Sequence, residues 1–168
     1  MLLCNNIMEV MIGNRRLKMI DGKIYVRSHR NGVETKNGKW NQIKFSDKDG
    51  YNKCGITING RKTDIPEHRL VWKLANPEWN IFDGSMDNFI DHYNRDRRDN
   101  RLENLHVVTH QQNNWNRDAK GYYFHKPSGK YIAKIAINGK QKHLGYYATA
   151  EEAHASYLEA KKKYHPIV

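Results

Sequence analysis

The chain has 168 residues, a formal charge of +11 and a pI near 9.6, enough for one ordinary domain or two small ones. A mean hydropathy of −0.92, with apolar runs of only a few residues, excludes a membrane-spanning helix, which needs about 20. An aromatic content of 11% with regular apolar alternation excludes a disordered chain.

Residues 1–10 lack a basic start followed by a long apolar stretch, so no secretory signal is expected there. Residues 1–66 read as short strands with turns. Residues 23–27 and 40–45 are two of them, and 47–50 is a turn. Residues 51–58 run into Asn59-Gly60, a two-residue hairpin signal, and 61–65 return. A helix opens at Pro66-Glu67, continues to Ala75 and stops at Asn76, which precedes a proline. Residues 88–117 read strand, loop, strand, helix: 88–91, then a charged loop from His92 to Arg101, then 105–108. The helix runs from Thr109 to about Arg117, with Thr109 and Gln112 spaced as a capping box. A linker, 118–121, leads to three more strands at 122–125, 131–138 and 141–147, with Asn138-Gly139 as a second hairpin turn. Thr149 and Glu152 cap a last helix whose apolar stripe is Ala153, Tyr157, Ala160 and Tyr164.

Charge points to the partner. The first 120 residues hold 21 basic and 15 acidic side chains, and the remainder hold 8 and 3, so both parts are basic. Such a balance suits a polyanion, because each neutralised phosphate releases condensed counterions. A merely soluble basic protein would share the charge. An anionic membrane surface would also fit it, but no basic amphipathic helix of the right pattern occurs. The two cysteines, Cys4 and Cys54, form no CxxC pair, so a cysteine-based zinc module is not expected and a reducing compartment is.

Asp91, His92 and Asn113 are the residues suited to chemistry. A carboxylate and an amide carbonyl are hard oxygen donors for Mg²⁺, which keeps waters and takes phosphate oxygens. An imidazole that titrates near neutrality can take a proton from water. The plainer alternative makes Asp91 and Asn104 turn caps and His92 a surface residue.

The stretch Asp91-His-Tyr-Asn-Arg-Asp-Arg-Arg-Asp-Asn-Arg-Leu-Glu-Asn-Leu105, followed by 107–113, resembles the HNH nucleases of the ββα-metal superfamily, phage and homing type. Asn104 lies twelve residues past His92 and Asn113 nine past Asn104. His68-Arg-Leu-Val-Trp72 is similar to a helix found upstream in those proteins. The resemblance implies that His92 is the general base, that Asn104 ties down the loop orienting it, and that Asp91 and Asn113 hold one metal. The last position is Asn rather than His, a variant that occurs in the phage branch and favours Mg²⁺ or Mn²⁺ over Zn²⁺.

Residues 121–165 resemble the APETALA2/ethylene-response-factor DNA-binding domain, in which a three-stranded sheet backed by one helix lies in the major groove. That resemblance makes Tyr123, His125, Lys126, Lys130, Tyr131, Lys134, Lys140, Lys142 and His143 candidate DNA contacts. This segment has no arginine, so it favours phosphate positioning over base readout.

Arg95, Arg97, Arg98 and Arg101 lie between Asp91 and Asn104 and are expected to grip phosphates beside the cut, or else to pair with Asp96 and Asp99 in a solvated loop. His110 reads as a surface residue, and His68 as a capping or packing residue. The 51–65 hairpin either extends the DNA surface or buttresses the core.

The expected fold is α+β: a ββα-metal nuclease core at 88–117 with an N-terminal β-hairpin region, then a small three-stranded sheet plus one helix. The expected domains are 1–117 and 118–168. The expected function is Mg²⁺-dependent hydrolysis of double-stranded DNA by an intracellular, phage-encoded homing-type enzyme in a bacterial host, with no membrane or small-molecule partner. A monomer would nick, and a dimer would be needed for a double-strand break. The alternative is a DNA-binding protein without catalysis.

Overall fold

The structure, a computed structural model, describes residues 9–31 and 33–166. Cys4 and most of the segment read for a secretory signal lie outside the described residues. The chain divides into two compact units, residues 1–108 and 109–168.

In the first unit β1 (Glu9–Ile12), β2 (Arg15–Ile20), β3 (Lys23–Arg27) and, after the short pair β4 (His29–Arg30) and β5 (Val33–Glu34), β6 (Trp40–Gln42) make an antiparallel sheet in the order β1-β2-β3-β6. Strand alternation turns Val10, Ile12, Leu17 and Ile24 inward. A second sheet contains β7 (Ser46–Lys48), β8 (Tyr51–Ile58) and β9 (Arg61–Pro66). Asn59 and Gly60, at φ 49° and 80°, turn the β8–β9 hairpin as expected. Asn14 and Asn59 tie turns of the two sheets together: the Asn59 N–H donates to Asn14 Oδ1 at 2.8 Å and the Asn14 N–H to Asn59 Oδ1 at 3.1 Å.

Three local readings change. The turn at 47–50 narrows to Asp49-Gly50, because Asp47 and Lys48 pair with Asn52 and Tyr51 in β7. Polar residues on an edge strand leave no alternation to detect. The strand read at 40–45 is laddered only to Gln42. The strand β2 has only a weak signal in the sequence, since Arg15, Arg16 and Lys18 surround the inward Leu17 and Met19.

Helix α1 (Glu67–Ala75) starts after the extended Pro66 and ends at Asn76. Its carboxylate, Glu67, stands at the N-terminal end, where the helix dipole favours negative charge. Leu70, Val71 and Leu74 bury their side chains with Ile56, Ile58 and Ile65 in one core. The hairpin of β10 (Phe89–His92) and β11 (Leu105–Val108) packs on the same core through Ile90 and Leu105.

The second unit holds α2 (His110–Trp115), β12 (Tyr122–His125), β13 (Lys130–Ile137), β14 (Lys140–Tyr147) and α3 (Ala150–Tyr164), with sheet order β12-β13-β14. Both expected capping boxes form, Thr109 with Gln112 and Thr149 with Glu152. Helix α2 stops at Trp115 rather than 117, and β13 begins at Lys130 and ends at Ile137. Ala153, Tyr157 and Ala160 are buried, with Ile135 in the same core. The segment read as a linker is built into this unit. Trp115 stacks on His165 at 4.8 Å and 7°, Lys161 Nζ donates to the Arg117 carbonyl at 2.6 Å, and Lys134 N–H donates to the Gly121 carbonyl at 2.9 Å. These contacts explain why α2 groups with the tail sheet and α3. Among the described residues no helix is long and apolar enough to cross a membrane.

Candidate active site

The β10–β11 register sets Asp91 across from His106 and His92 across from Leu105. His106 Nε2 lies 3.9 Å from Asp91 Oδ2. Burial holds the His106 ring below its ordinary pKa, against the pull of the Asp91 carboxylate and with the help of His92.

His92 ends β10 and is only 3% exposed. The ring of His68 meets it edge-on, with centroids 5.1 Å apart at 78°, and Tyr51 lies 5.4 Å from His68 and 6.4 Å from His92. Burial, reinforced by His92, Arg69 and Lys53, pushes the His68 pKa down to about 3, so this neighbour is neutral. His68 therefore packs. No side chain caps α1.

Asn104 is buried at the start of β11. Its Oδ1 accepts the Asn94 N–H at 3.0 Å, and its Nδ2 donates to Asn94 Oδ1 at 3.0 Å and to the Asp99 carbonyl at 2.8 Å. The Tyr93 N–H adds a bond to the Asn104 carbonyl at 3.0 Å. The loop between the two strands is thus closed on one side chain. On its far side His92 Nε2 meets Asn100 Oδ1 at 3.0 Å, and Asn100 Nδ2 donates to Glu67 Oε2 at 2.7 Å. Asn52 Nδ2 donates to the same oxygen at 2.8 Å.

The loop arginines separate into different settings. Arg101 pairs with Asp99 through two nitrogens at 2.8 and 2.9 Å, which holds the Asp99 carboxyl well below the usual carboxylate range. The Arg98 guanidinium reaches Asp47 on β7, while its backbone N–H donates to Asp96 Oδ1 at 3.0 Å. The Arg97 guanidinium lies 4.9 Å from the centroid of the Tyr51 ring. Arg95 is exposed, with φ 65°.

Asp91, His92 and Asn104 thus stand on one hairpin of the first unit. Asn113 stands on α2 in the second, where its N–H bonds the Thr109 carbonyl at 3.0 Å. His110 is exposed, beside Asn114. Among the described residues no group of three or more His, Cys, Asp or Glu side chains is placed to hold a metal.

Within the second unit, strand register sorts the tail residues. Tyr123 pairs with Ile132, Ile132 with Tyr146, and Lys134 with His143. Lys134 Nζ stands 4.9 Å from the Tyr123 ring, and His143 and Tyr146 rings are 4.9 Å apart, so these share one face. His125, 6.5 Å from Tyr146, and its partner Lys130 belong to that face too. Tyr131 is on the other, in contact with Tyr122 and Phe124. Lys142 also turns toward α3 and donates to the Tyr164 hydroxyl at 2.8 Å, and Lys140 follows by alternation. Lys126 sits in the turn before β13.

Sequence reasoning did not single out Asn100, Glu67, Tyr51 or His106 for the site. Asn100 lay inside the quoted motif with nothing to distinguish it from its polar neighbours, and Glu67 read only as a helix-opening acid.

Residues 67–115 match the family model described as HNH endonuclease. The chain is also similar to the H-N-H endonuclease F-TflI of Escherichia phage T5, 33% identical over 61 residues, or 36% of this chain. The matched part spans 30% of the length of that curated relative. No solved structure matches the chain. By these matches the chain carries an HNH endonuclease family domain, and Asp91, His92, Asn104 and Asn113 all fall inside it.

Proposed function

We propose that this protein is a metal-dependent endonuclease that hydrolyses a phosphodiester of double-stranded DNA. The observation that carries the reading is the position of His92 within the HNH match: a buried imidazole at the end of β10, fixed by a loop that Asn104 closes. In this reading His92 takes the proton of the attacking water, and Asn104 keeps the loop around it in register. Asp91 and Asn113 are the residues that would hold a divalent ion. The donor chemistry fits Mg²⁺ or Mn²⁺: one carboxylate and one amide oxygen, with no thiolate and no larger cluster of ligands among the described residues. When bound, the ion supplies charge stabilisation at the scissile phosphate and the leaving oxygen. Arg95, Arg97, Arg98 and Arg101 are proposed to flank the phosphates.

We propose that residues 1–117 carry the nuclease function, with a ββα-metal core at 88–117, and that 118–168 dock on DNA. This functional boundary differs from the packing boundary at 108/109, because α2 belongs with the nuclease by its HNH motif and not by its packing. The APETALA2-like reading of the tail is supported by its three antiparallel strands and capped helix, and by one face bearing Tyr123, His125, Lys130, Lys134 and His143. A single site cuts one strand, so a monomer nicks. A homing-type role inside a bacterial host is the biology we propose; the similar H-N-H endonuclease from an Escherichia phage supports the phage setting.

The same exposed face favours a second reading, a DNA-binding protein without catalysis. Supercoiled plasmid with Mg²⁺ or EDTA, alongside His92→Ala, separates the two. Relaxed circles that need both metal and His92 support the nuclease. Retained binding without cutting, on phage and host DNA as well as plasmid, supports the second reading.

A further inference from the structure

We propose that Asn100 and Glu67 are positioning residues for His92: Glu67 fixes the amide of Asn100, and Asn100 fixes the imidazole. The inference rests on the reading of His92 as the general base. It names the side chains through which the fold presents that base.

A carboxylate can only accept, so the Asn100 side chain must turn its NH₂ toward Glu67 Oε2, 2.7 Å away. Its carbonyl oxygen then faces His92 Nε2 at 3.0 Å. A carbonyl oxygen also only accepts, so Nε2 must carry the hydrogen. A neutral imidazole has one N–H, and its accepting lone pair is therefore on Nδ1. The charge on Glu67 thus selects, through one amide, which ring nitrogen can take a proton.

Each link is itself held. Glu67 opens α1 and accepts a second bond from Asn52 Nδ2 at 2.8 Å, so its oxygen has a fixed place. Asn104 binds the carbonyl of Asp99, the residue before Asn100, and the Asn100 N–H reaches the Arg98 carbonyl at 3.1 Å. The ring of His68, next to Glu67 on α1, closes the edge of the His92 pocket at 5.1 Å. The helix that carries Glu67 therefore also carries a wall of the pocket. Asn52 and Tyr51, neighbours on β8, supply a further bond to Glu67 and a further wall.

The test is the tautomer of His92, read by ¹⁵N-resolved long-range NMR on the full chain with the ring neutral. Single-turnover nicking rate and DNA affinity are measured beside it. Wild type is expected to show the Nε2–H form. Asn100→Ala should lose that preference and nick roughly 10–100-fold more slowly at unchanged DNA affinity. Glu67→Gln keeps the size of the side chain but can offer Asn100 either an oxygen or an NH₂, so it should give a mixture of tautomers and an intermediate rate. If Asn100→Ala does not fold, Glu67→Gln decides.

An Nδ1–H form in wild type overturns the proposal, as does an unchanged tautomer and rate in the variants. His92→Ala keeps the two ideas apart. If it nicks like wild type, the general-base reading fails. If it is inactive while both variants match wild type, only the positioning role fails.

Discussion

Asn104 and Asn94 hold each other twice. The Asn94 N–H and the Asn104 amide NH₂ each donate across the mouth of the loop, both at 3.0 Å, while the same NH₂ group reaches the Asp99 carbonyl at 2.8 Å. One buried side chain thus satisfies polar groups at both ends of the segment 94–99. Asn104→Ala removes these bonds from the Asn94 N–H and the Asp99 carbonyl, which water can partly replace on this exposed loop, and empties a buried site, at about 1–3 kcal/mol in total. The expected result is a lower urea midpoint for the first unit and slower nicking together.

His68 makes stability depend on acid. Its folded pKa of about 3 lies below the ordinary 6.5, so the unfolded chain binds the extra proton between those values. The stabilisation from keeping this ring neutral is complete above pH 6.5 and is lost as pH falls toward 3. Urea melts between pH 6 and 4 should lose about 1.4 kcal/mol per pH unit from this group. The depressed pKa of His106 adds in the same direction. His68→Phe is expected to flatten the dependence, and an unchanged slope in that variant would count against the assignment.

Cys54 is buried, and its thiol is pushed up to about 12, first by burial and then by the Asp64 and Glu67 carboxylates. Thiolate is the reactive form, so alkylation of folded protein near pH 8 should run about 1,000-fold slower than for an exposed thiol. The measurement uses Cys4→Ser and follows iodoacetamide labelling by mass, with unfolding in guanidinium restoring the normal rate.

Gly121 has φ 70°, and a Cβ there would fall inside the Tyr157 ring. Neither the backbone nor a core ring sandwiched under α3 can yield cheaply. Gly121→Ala should cost the second unit about 3 kcal/mol or more, from left-handed strain and overpacking together. Separate calorimetric transitions, with the lower one shifted only for the second unit, would show it.

Lys134 stands beside Tyr123 on the exposed face of the tail sheet, whereas Lys142 is engaged with Tyr164 toward α3. Lys134→Gln is expected to weaken DNA binding across unrelated sequences and reduce the magnitude of the salt slope by about one. Lys142→Gln should change that slope less. Fluorescence anisotropy over a salt series measures both, and equal effects would remove the distinction between the two faces.

Much of the architecture was legible in the residues because its causes are local. The left-handed turn at Asn59-Gly60, the caps at Thr109 and Thr149, the stop at Asn76 and the stripe of α3 each depend on a few consecutive φ/ψ and hydrogen-bonding preferences. The edge strand β7 and the arginine-rich β2 escaped because pairing, not periodicity, makes them strands.

By itself the sequence determined a basic α+β chain with an HNH spacing of Asp91, His92, Asn104 and Asn113. Only the tertiary structure decided that Glu67, 33 positions from Asn100, turns that amide toward His92, and that His68 and Tyr51 wall the ring. It also decided that α2 groups with the tail, through Trp115 stacked on His165. The reason is that these contacts join polar or aromatic side chains far apart in sequence. Packing brings them together and fixes the direction of each donor, and no repeat or local propensity encodes that direction.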